Sequence, residues 1–268
     1  MTSSLQLASV HLRVADLARS VAFYTRLGFA SATRSAGRAE LASAPGETAL
    51  LTLTEDRTAP TAPRDAAGLF HAALLLPSRA ALGAWLKHAA TAGVEFDGFS
   101  DHGVSEAIYL ADPDGNGLEC YSDRPRDAWP ASPKAGEVAM FTQPLALQSL
   151  LAEAAPASTT PLADARWGHL HLRVTDLARS EKFYRDALGV ALTQGSYPGA
   201  RFLAADGYHH HLGLNTWGNP RSAQPPGTLG LVEATFTRRG IVTPQTTRDP
   251  DGIALRIIST SADHTKPV

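Results

Sequence analysis

The stretch VHLRVADLARS at residues 10–20 returns as LHLRVTDLARS at 170–180, differing only at Val10/Leu170 and Ala15/Thr175. More matches follow in the same order. Phe23-Tyr24 pairs with Phe183-Tyr184, Leu27-Gly28 with Leu188-Gly189, and DPDG at 112–115 with DPDG at 249–252. An ordered series of this kind marks an internal repeat, so the chain consists of two related halves. Each half opens with an alternating strand, in which Val10, Leu12 and Val14 oppose His11 and Arg13. An Asp then stands where a helix cap is wanted, and Leu17, Val21, Tyr24 and Leu27 recur at helical spacing before Gly28 stops the helix.

Strand-like runs follow in RAELASA and ETALLTLTE, and beyond the Pro-rich TAPTAPRDAAG the order restarts. GLFHAALLLP reads as a strand, SRAALGAWLKHAATAG as a helix, and SEAIYLAD with GLECYSD as a hairpin across DPDGNG. The first half is therefore two βαβββ-like units, at roughly 6–56 and 68–123. Residues 124–165 form a connector with Pro125, Pro130, Pro133 and Pro161 and a short helix around PLALQSLLAEA. The second half is shorter. His71 precedes Asp112 by 41 residues, whereas the matching Glu233 precedes Asp249 by 16, and most of what is missing is the last unit's helix. This predicts an α+β chain of four modules with the last truncated. The domains expected are 1–125, a connector at 126–163, and 164–262.

The 268 residues are enough for two domains with substantial cores. A formal charge of −2 gives no electrostatic reason to expect nucleic acid or an anionic membrane. The single cysteine, Cys120, excludes an internal disulfide and reads as a small buried hydrophobe. The N-terminus lacks the features of a secretory signal and no apolar run approaches the ~20 residues of a membrane span, so a cytoplasmic protein is expected. A homo-oligomer accords with this composition, which specifies no assembly.

Strand alternation assigns faces. His11, Tyr109, Glu119 and Tyr121 fall on the open face of their strands, with Leu118 and Cys120 inward. For His71 parity decides less, because its strand is apolar on both sides. His11, His71 and Glu119 together supply two imidazoles and a carboxylate. That donor set leaves coordination positions open on a divalent metal.

The stretch from His102 through Ile108-Tyr109, the Asp112-Pro113-x-Gly115 turn and Glu119 resembles the extradiol dioxygenase signature. With the repeats, it makes the chain similar to the vicinal oxygen chelate superfamily of glyoxalase I, bleomycin-resistance proteins and extradiol catechol dioxygenases. GYHHHLGLNTW at 207–217 resembles the bacterial two-domain catechol-2,3-dioxygenase-like branch. The resemblance implies paired βαβββ modules forming two half-open β-barrel cups. It implies Glu119 as an iron ligand, Tyr109 as a donor to a substrate oxygen, and His102 as a substrate or supporting contact. Ser100, two positions before His102, departs from the usual small or apolar choice. In the two-domain extradiol enzymes the active cup is the C-terminal one, and a general-base histidine precedes the second ligand. Here the signature lies in the N-terminal half, and ALLTLTED carries no histidine.

In the second half His171 matches His11, Glu233 matches His71, and Arg256 matches Glu119. A guanidinium cannot ligate a cation, and an Arg256–Glu233 ion pair is expected instead. His169 with His171, and His209 with His211, share strand faces and could build a second, different metal site. Pocket lining or structural use is the simpler reading of 209–211. His88 reads as solvent-facing and DPDG as a turn, and nothing is assigned to His264. The function expected is an Fe(II)-dependent extradiol dioxygenase taking an aromatic substrate and O₂, in aromatic catabolism. The alternatives are a glyoxalase-like lyase or isomerase using Zn²⁺, Ni²⁺ or Mn²⁺, with Glu55 as a fourth ligand, and a metal-free binding module.

Overall fold

The computed structural model of the chain describes residues 4–132 and 134–260, so Pro133, His264 and the end of the second half beyond 260 lie outside the described residues. The first module comprises β1 (Leu5–Val14), α1 (Leu17–Leu27), β2 (Ala30–Ser35), β3 (Arg38–Ala42) and β4 (Ala49–Glu55). The second comprises β5 (Gly68–Leu75), α2 (Arg79–Thr91), β6 (Gly98–Asp101), β7 (Ser105–Ala111) and β8 (Gly117–Asp123). After β9 (Gln143–Pro144) and α3 (Leu147–Ala152) comes the third: β10 (Arg166–Arg173), α4 (Leu177–Leu188), β11 (Ala191–Gln194), β12 (Ala200–Ala204) and β13 (Leu212–Asn215). The fourth keeps β14 (Gly230–Arg238), β15 (Gln245–Arg248) and β16 (Ala254–Ser259), with no helix among the described residues.

Local signals act where the sequence puts them. Asp16 and Asp176 accept from the backbone N–H three residues on, satisfying donors that a helix start leaves free. Gly28 and Gly189 then end α1 and α4 in the left-handed region, at φ 107° and 68°, where a side chain would be strained. Both DPDG turns are structural. Asp112 accepts from the Tyr24 hydroxyl and from the backbone of Asp114 and Asn116. Asp249 does the same with Tyr184, Asp251 and Ile253. Each turn thereby fastens a helix of its own half.

The sheets do not follow the halves. One has the order β15-β16-β14-β1-β4-β3-β2, the other β11-β12-β13-β10-β5-β8-β7-β6-β9. The fold is thus mixed α+β with two curled half-barrels and few helices. The outer modules, first and fourth, share one sheet. The inner modules, second and third, share the other. This corrects the division into cups at 1–125 and 164–262. The seams are the antiparallel pairs β1–β14 and β10–β5, which join strands from opposite halves. Val10, Leu12 and Val14, with Leu170, Leu172 and Val174, go into the common core, as alternation requires.

Each seam carries bulges at matching places. On β10 the register jumps between Trp167 and His169, leaving Gly168 as an extra residue; opposite His171 and Leu172 the extra residue is Phe70 of β5. A bulge breaks strict alternation. Trp167 consequently turns to the core, donating its indole N–H to the Leu50 carbonyl at 2.6 Å. Phe70 turns into the same concavity as its neighbour His71.

Candidate metal centre and cavity

The sheet built from the inner modules curls around a cavity of about 500 Å³. Three buried side chains meet at its floor: His71 of β5, Glu119 of β8 and His169 of β10. These strands are neighbours in the order β10-β5-β8, with Ala73 standing opposite both His169 and Glu119. His71 Nε2 lies 3.0 Å from Glu119 Oε2, His169 Nε2 lies 3.2 Å from it, and the two nitrogens are 3.4 Å apart. Ligands about 2.1 Å from one ion at angles of 90–109° stand roughly 3.0–3.4 Å from each other. The donor triangle therefore fits a single divalent ion.

Electrostatics agree with that use. Burial lowers His169 to about 4, which keeps the ring neutral with a lone pair to offer. Burial also opposes the charge on Glu119, but His169 and His71 hold its carboxyl well below the ordinary range. The floor is one carboxylate flanked by two imidazoles, all three buried.

His11 is not part of this cluster. It sits on β1 in the other sheet, half-buried, with Nε2 3.0 Å from Thr54 Oγ1 and Glu233 as its cross-strand partner. The sequence pairing of His11 with His71 assumed that modules of one half share a cup. Because β5 pairs with β10, the histidine brought to His71 and Glu119 is His169, two positions before the one matching His11. Glu55 also lies on the outer sheet, where its carboxylate accepts from the Leu17 N–H and from Arg57. Arg256 is exposed, and no ion pair joins it to Glu233 among the described residues. His88 is half-buried, at 3.0 Å from the Arg26 carbonyl oxygen.

Tyr109 and His102 do meet at the cavity. Tyr109 stands across from Glu119 on β7. His102 Nδ1 is 2.7 Å from the Phe141 carbonyl oxygen, an acceptor only, so Nδ1 carries the proton of the neutral ring and Nε2 is left to accept. The Tyr109 hydroxyl, 2.7 Å away, donates to it. Burial, then the Glu119 carboxylate, raises the Tyr109 phenol well above its usual value, so it stays protonated.

Two contributions escaped the sequence reading. The connector supplies Met140, Phe141 and Thr142 to the cavity wall, and it fixes the His102 tautomer. In the triplet, the middle histidine enters the cavity. His210 lies with its ring 4.0 Å from that of His169, and burial holds it well below its usual value. His209 and His211, for which structural use is the simpler expectation, are engaged elsewhere. His209 binds Asp123 at 2.8 Å, and His211 Nδ1 accepts the Ala205 N–H. The residues 209–211 lie in a turn before β13, where strand parity gives no guidance.

The family model for the Glyoxalase/Bleomycin resistance protein/Dioxygenase superfamily matches residues 6–120 and 166–243. The chain belongs to this superfamily. A catechol-2,3-dioxygenase of Bacillus subtilis (strain 168) is 43% identical over 222 residues, covering 81% of this chain and 76% of that protein. Among solved structures, a putative dioxygenase from Bacillus subtilis subsp. subtilis str. 168 aligns with a TM-score of 0.62 at 12% identity, over 95% of this chain and 84% of that one. Glyoxalase I from Zea mays aligns at 0.56 and 16% identity, over 95% and 92%. At such identities the two structures speak for the superfamily fold alone. Among the described residues, no helix of this superfamily member is long and apolar enough to cross a membrane.

Proposed function

We propose that this protein is a metal-dependent extradiol-type dioxygenase that cleaves a catechol-like ring with O₂, its ion held by His71, Glu119 and His169. The observation that carries this reading is the buried triangle of two imidazole nitrogens and one carboxylate oxygen at the cavity floor. Its support from comparison is the 43% identity to a protein named catechol-2,3-dioxygenase. Fe(II) bound there would offer open positions to two vicinal oxygens and to O₂, and would ease loss of their protons.

The chain's own groups flank that floor on two sides. Tyr109 is a neutral phenol whose hydrogen can be given to a substrate oxygen as charge develops. His102, its tautomer fixed by Phe141, is the acceptor for that one hydrogen until a substrate oxygen takes its place. His210, neutral and beside His169, is placed to take a proton from a substrate hydroxyl. The aromatic walls exclude water and orient a flat ring.

The test is anaerobic loading with Fe(II) followed by O₂ uptake and product analysis over a panel of catechols. One O₂ consumed per ring opened is the expected result. An iron-loaded protein that takes up no O₂ with any catechol, yet isomerises a thiohemiacetal of an α-ketoaldehyde, overturns the proposal in favour of glyoxalase-like chemistry.

A further inference from the structure

Away from the donor triangle the cavity changes character. Phe70, Tyr197, Phe202 and Trp217 form an aromatic box along its β10–β13 side, with the His171 imidazole packed against Phe70, Phe202 and Trp217 at centroid distances of 5.1, 5.8 and 5.5 Å. Ring centroids are 5.5 Å apart for Phe70–Trp217, 6.1 Å for Tyr197–Trp217 and 5.9 Å for Tyr197–Phe202. The box is built in place. The Trp217 indole N–H donates to the Pro198 carbonyl at 3.0 Å, its backbone N–H donates to Asn215, and the Tyr197 hydroxyl lies 3.1 Å from Thr142 Oγ1. Phe70 is 37% exposed, a large apolar ring left uncovered beside the cluster.

Charge points the same way. Among the described residues no lysine or arginine lines the cavity, whose ionisable lining apart from imidazoles and phenols is Glu119 on the floor and Asp97, an exposed residue. The cation next in sequence to the box, Arg201, is occupied by the carbonyls of Gly195 and Ala200 and by Glu181. A substituent carboxylate would have to leave water with no lysine or arginine among the described lining residues to pair with, beside two carboxylates, and that is costly. Size adds a third constraint. A cavity of about 150 Å³ holds a benzene ring, so about 500 Å³ leaves room for a second ring beyond the one that carries the oxygens.

From these observations we infer that the substrate is a catechol bearing an uncharged, apolar substituent of about ring size, seated in the Phe70/Tyr197/Phe202/Trp217 box, and that carboxylated catechols are rejected. The diol end of this inference rests on the dioxygenase reading; the apolar end rests on the box alone. Flat rings meeting aromatic walls edge-on and offset gain more than their buried area supplies.

The experiment measures calorimetric affinity of the Fe(II)-loaded holoprotein without O₂ for catechol, 3- and 4-phenylcatechol, 3,4-dihydroxybenzoate, 4-(2-aminoethyl)catechol and biphenyl. One phenylcatechol should bind ~10-fold or more tighter than catechol, and the carboxylate ~10-fold or more weaker, each factor of ten being about 1.4 kcal/mol. In Trp217→Ala the phenylcatechol-to-catechol ratio should fall towards one, and in Trp217→Phe it should persist. Equal affinity for catechol and both phenylcatechols, or tightest binding of the carboxylate or of the amine, overturns the inference. O₂ uptake with no phenyl preference leaves the dioxygenase reading standing and removes the box from it. Binding of biphenyl while no diol binds more tightly than biphenyl does the reverse, keeping the box and removing the diol chemistry.

Discussion

The inner and outer cups share one kind of seam, and three positions on and beside it decide which of them can hold an ion. Strand pairing makes His169, His71 and Glu119 of the inner cup equivalent to Ser9, Glu233 and Arg256 of the outer one. The seams match down to the bulges, with Ala8 in the place of Gly168 and Val232 in the place of Phe70. The backbone therefore makes two cups, and the proposed metal chemistry belongs to the side chains grafted on one of them. A hydroxyl, a carboxylate and an exposed guanidinium cannot gather a divalent ion, whereas two imidazoles and a buried carboxylate can.

The largest effect that would break this contrast is loss of the ion. Glu119→Gln is expected to take bound metal from about one equivalent to near none after gel filtration, with the circular dichroism of the fold retained. His11→Gln should keep the full equivalent. Metal retained in Glu119→Gln and lost in His11→Gln would move the site to the outer cup.

The contrast can also be sharpened by transplanting it. The triple change Ser9→His, Glu233→His and Arg256→Glu should give a protein that binds about two equivalents by metal analysis, because the outer strands share the inner register. A stoichiometry still at one would mean that bulge geometry alone does not prepare the outer cup.

Tyr109→Phe comes next. Removing one donor to developing charge typically costs ~10²–10³ in turnover, so kcat for ring opening should fall by that factor with iron content unchanged. A drop of less than about tenfold would show that the phenol serves packing.

The smallest effects are on stability. Burial lowers His211 to about 4, and its Nδ1 is engaged in accepting from Ala205. Folded protein then keeps this ring neutral between pH 6.5 and 4 while the unfolded chain protonates it. Its contribution is present above about pH 6.5 and is lost as pH falls towards 4. The urea midpoint of the wild type should fall across that window, and His211→Asn should fall less steeply. His11 is likewise lowered to about 4 but is half-buried, so His11→Asn should flatten the profile less. Arg256→Ala, an exposed change with no ion pair to lose among the described residues, should stay within ~0.5 kcal/mol of wild type.

Much of this was legible in the linear sequence. The repeat, the helix caps at Asp16 and Asp176, the DPDG turns and the eroded last module all follow from local pattern, and local pattern decides local structure. The hairpin that sets Tyr109 across from Glu119 is a short-range object, so those two residues were legible together, whereas His102 was marked by the resemblance to the extradiol signature and His71 by its place on the opening strand of its module. The third donor was not. Alternation tells which face a side chain takes but not which strand lies next to it, and VHLRV and LHLRV offer almost the same apolar edge for pairing. Only the docking of modules decided that β5 lies against β10, which brought His169 to the cluster and left His11 outside. The bulges at Gly168 and Phe70, the turn that sends His210 inward, and the connector that closes over His102 share this origin. Each depends on contacts between residues far apart in the chain, which a periodic pattern does not encode.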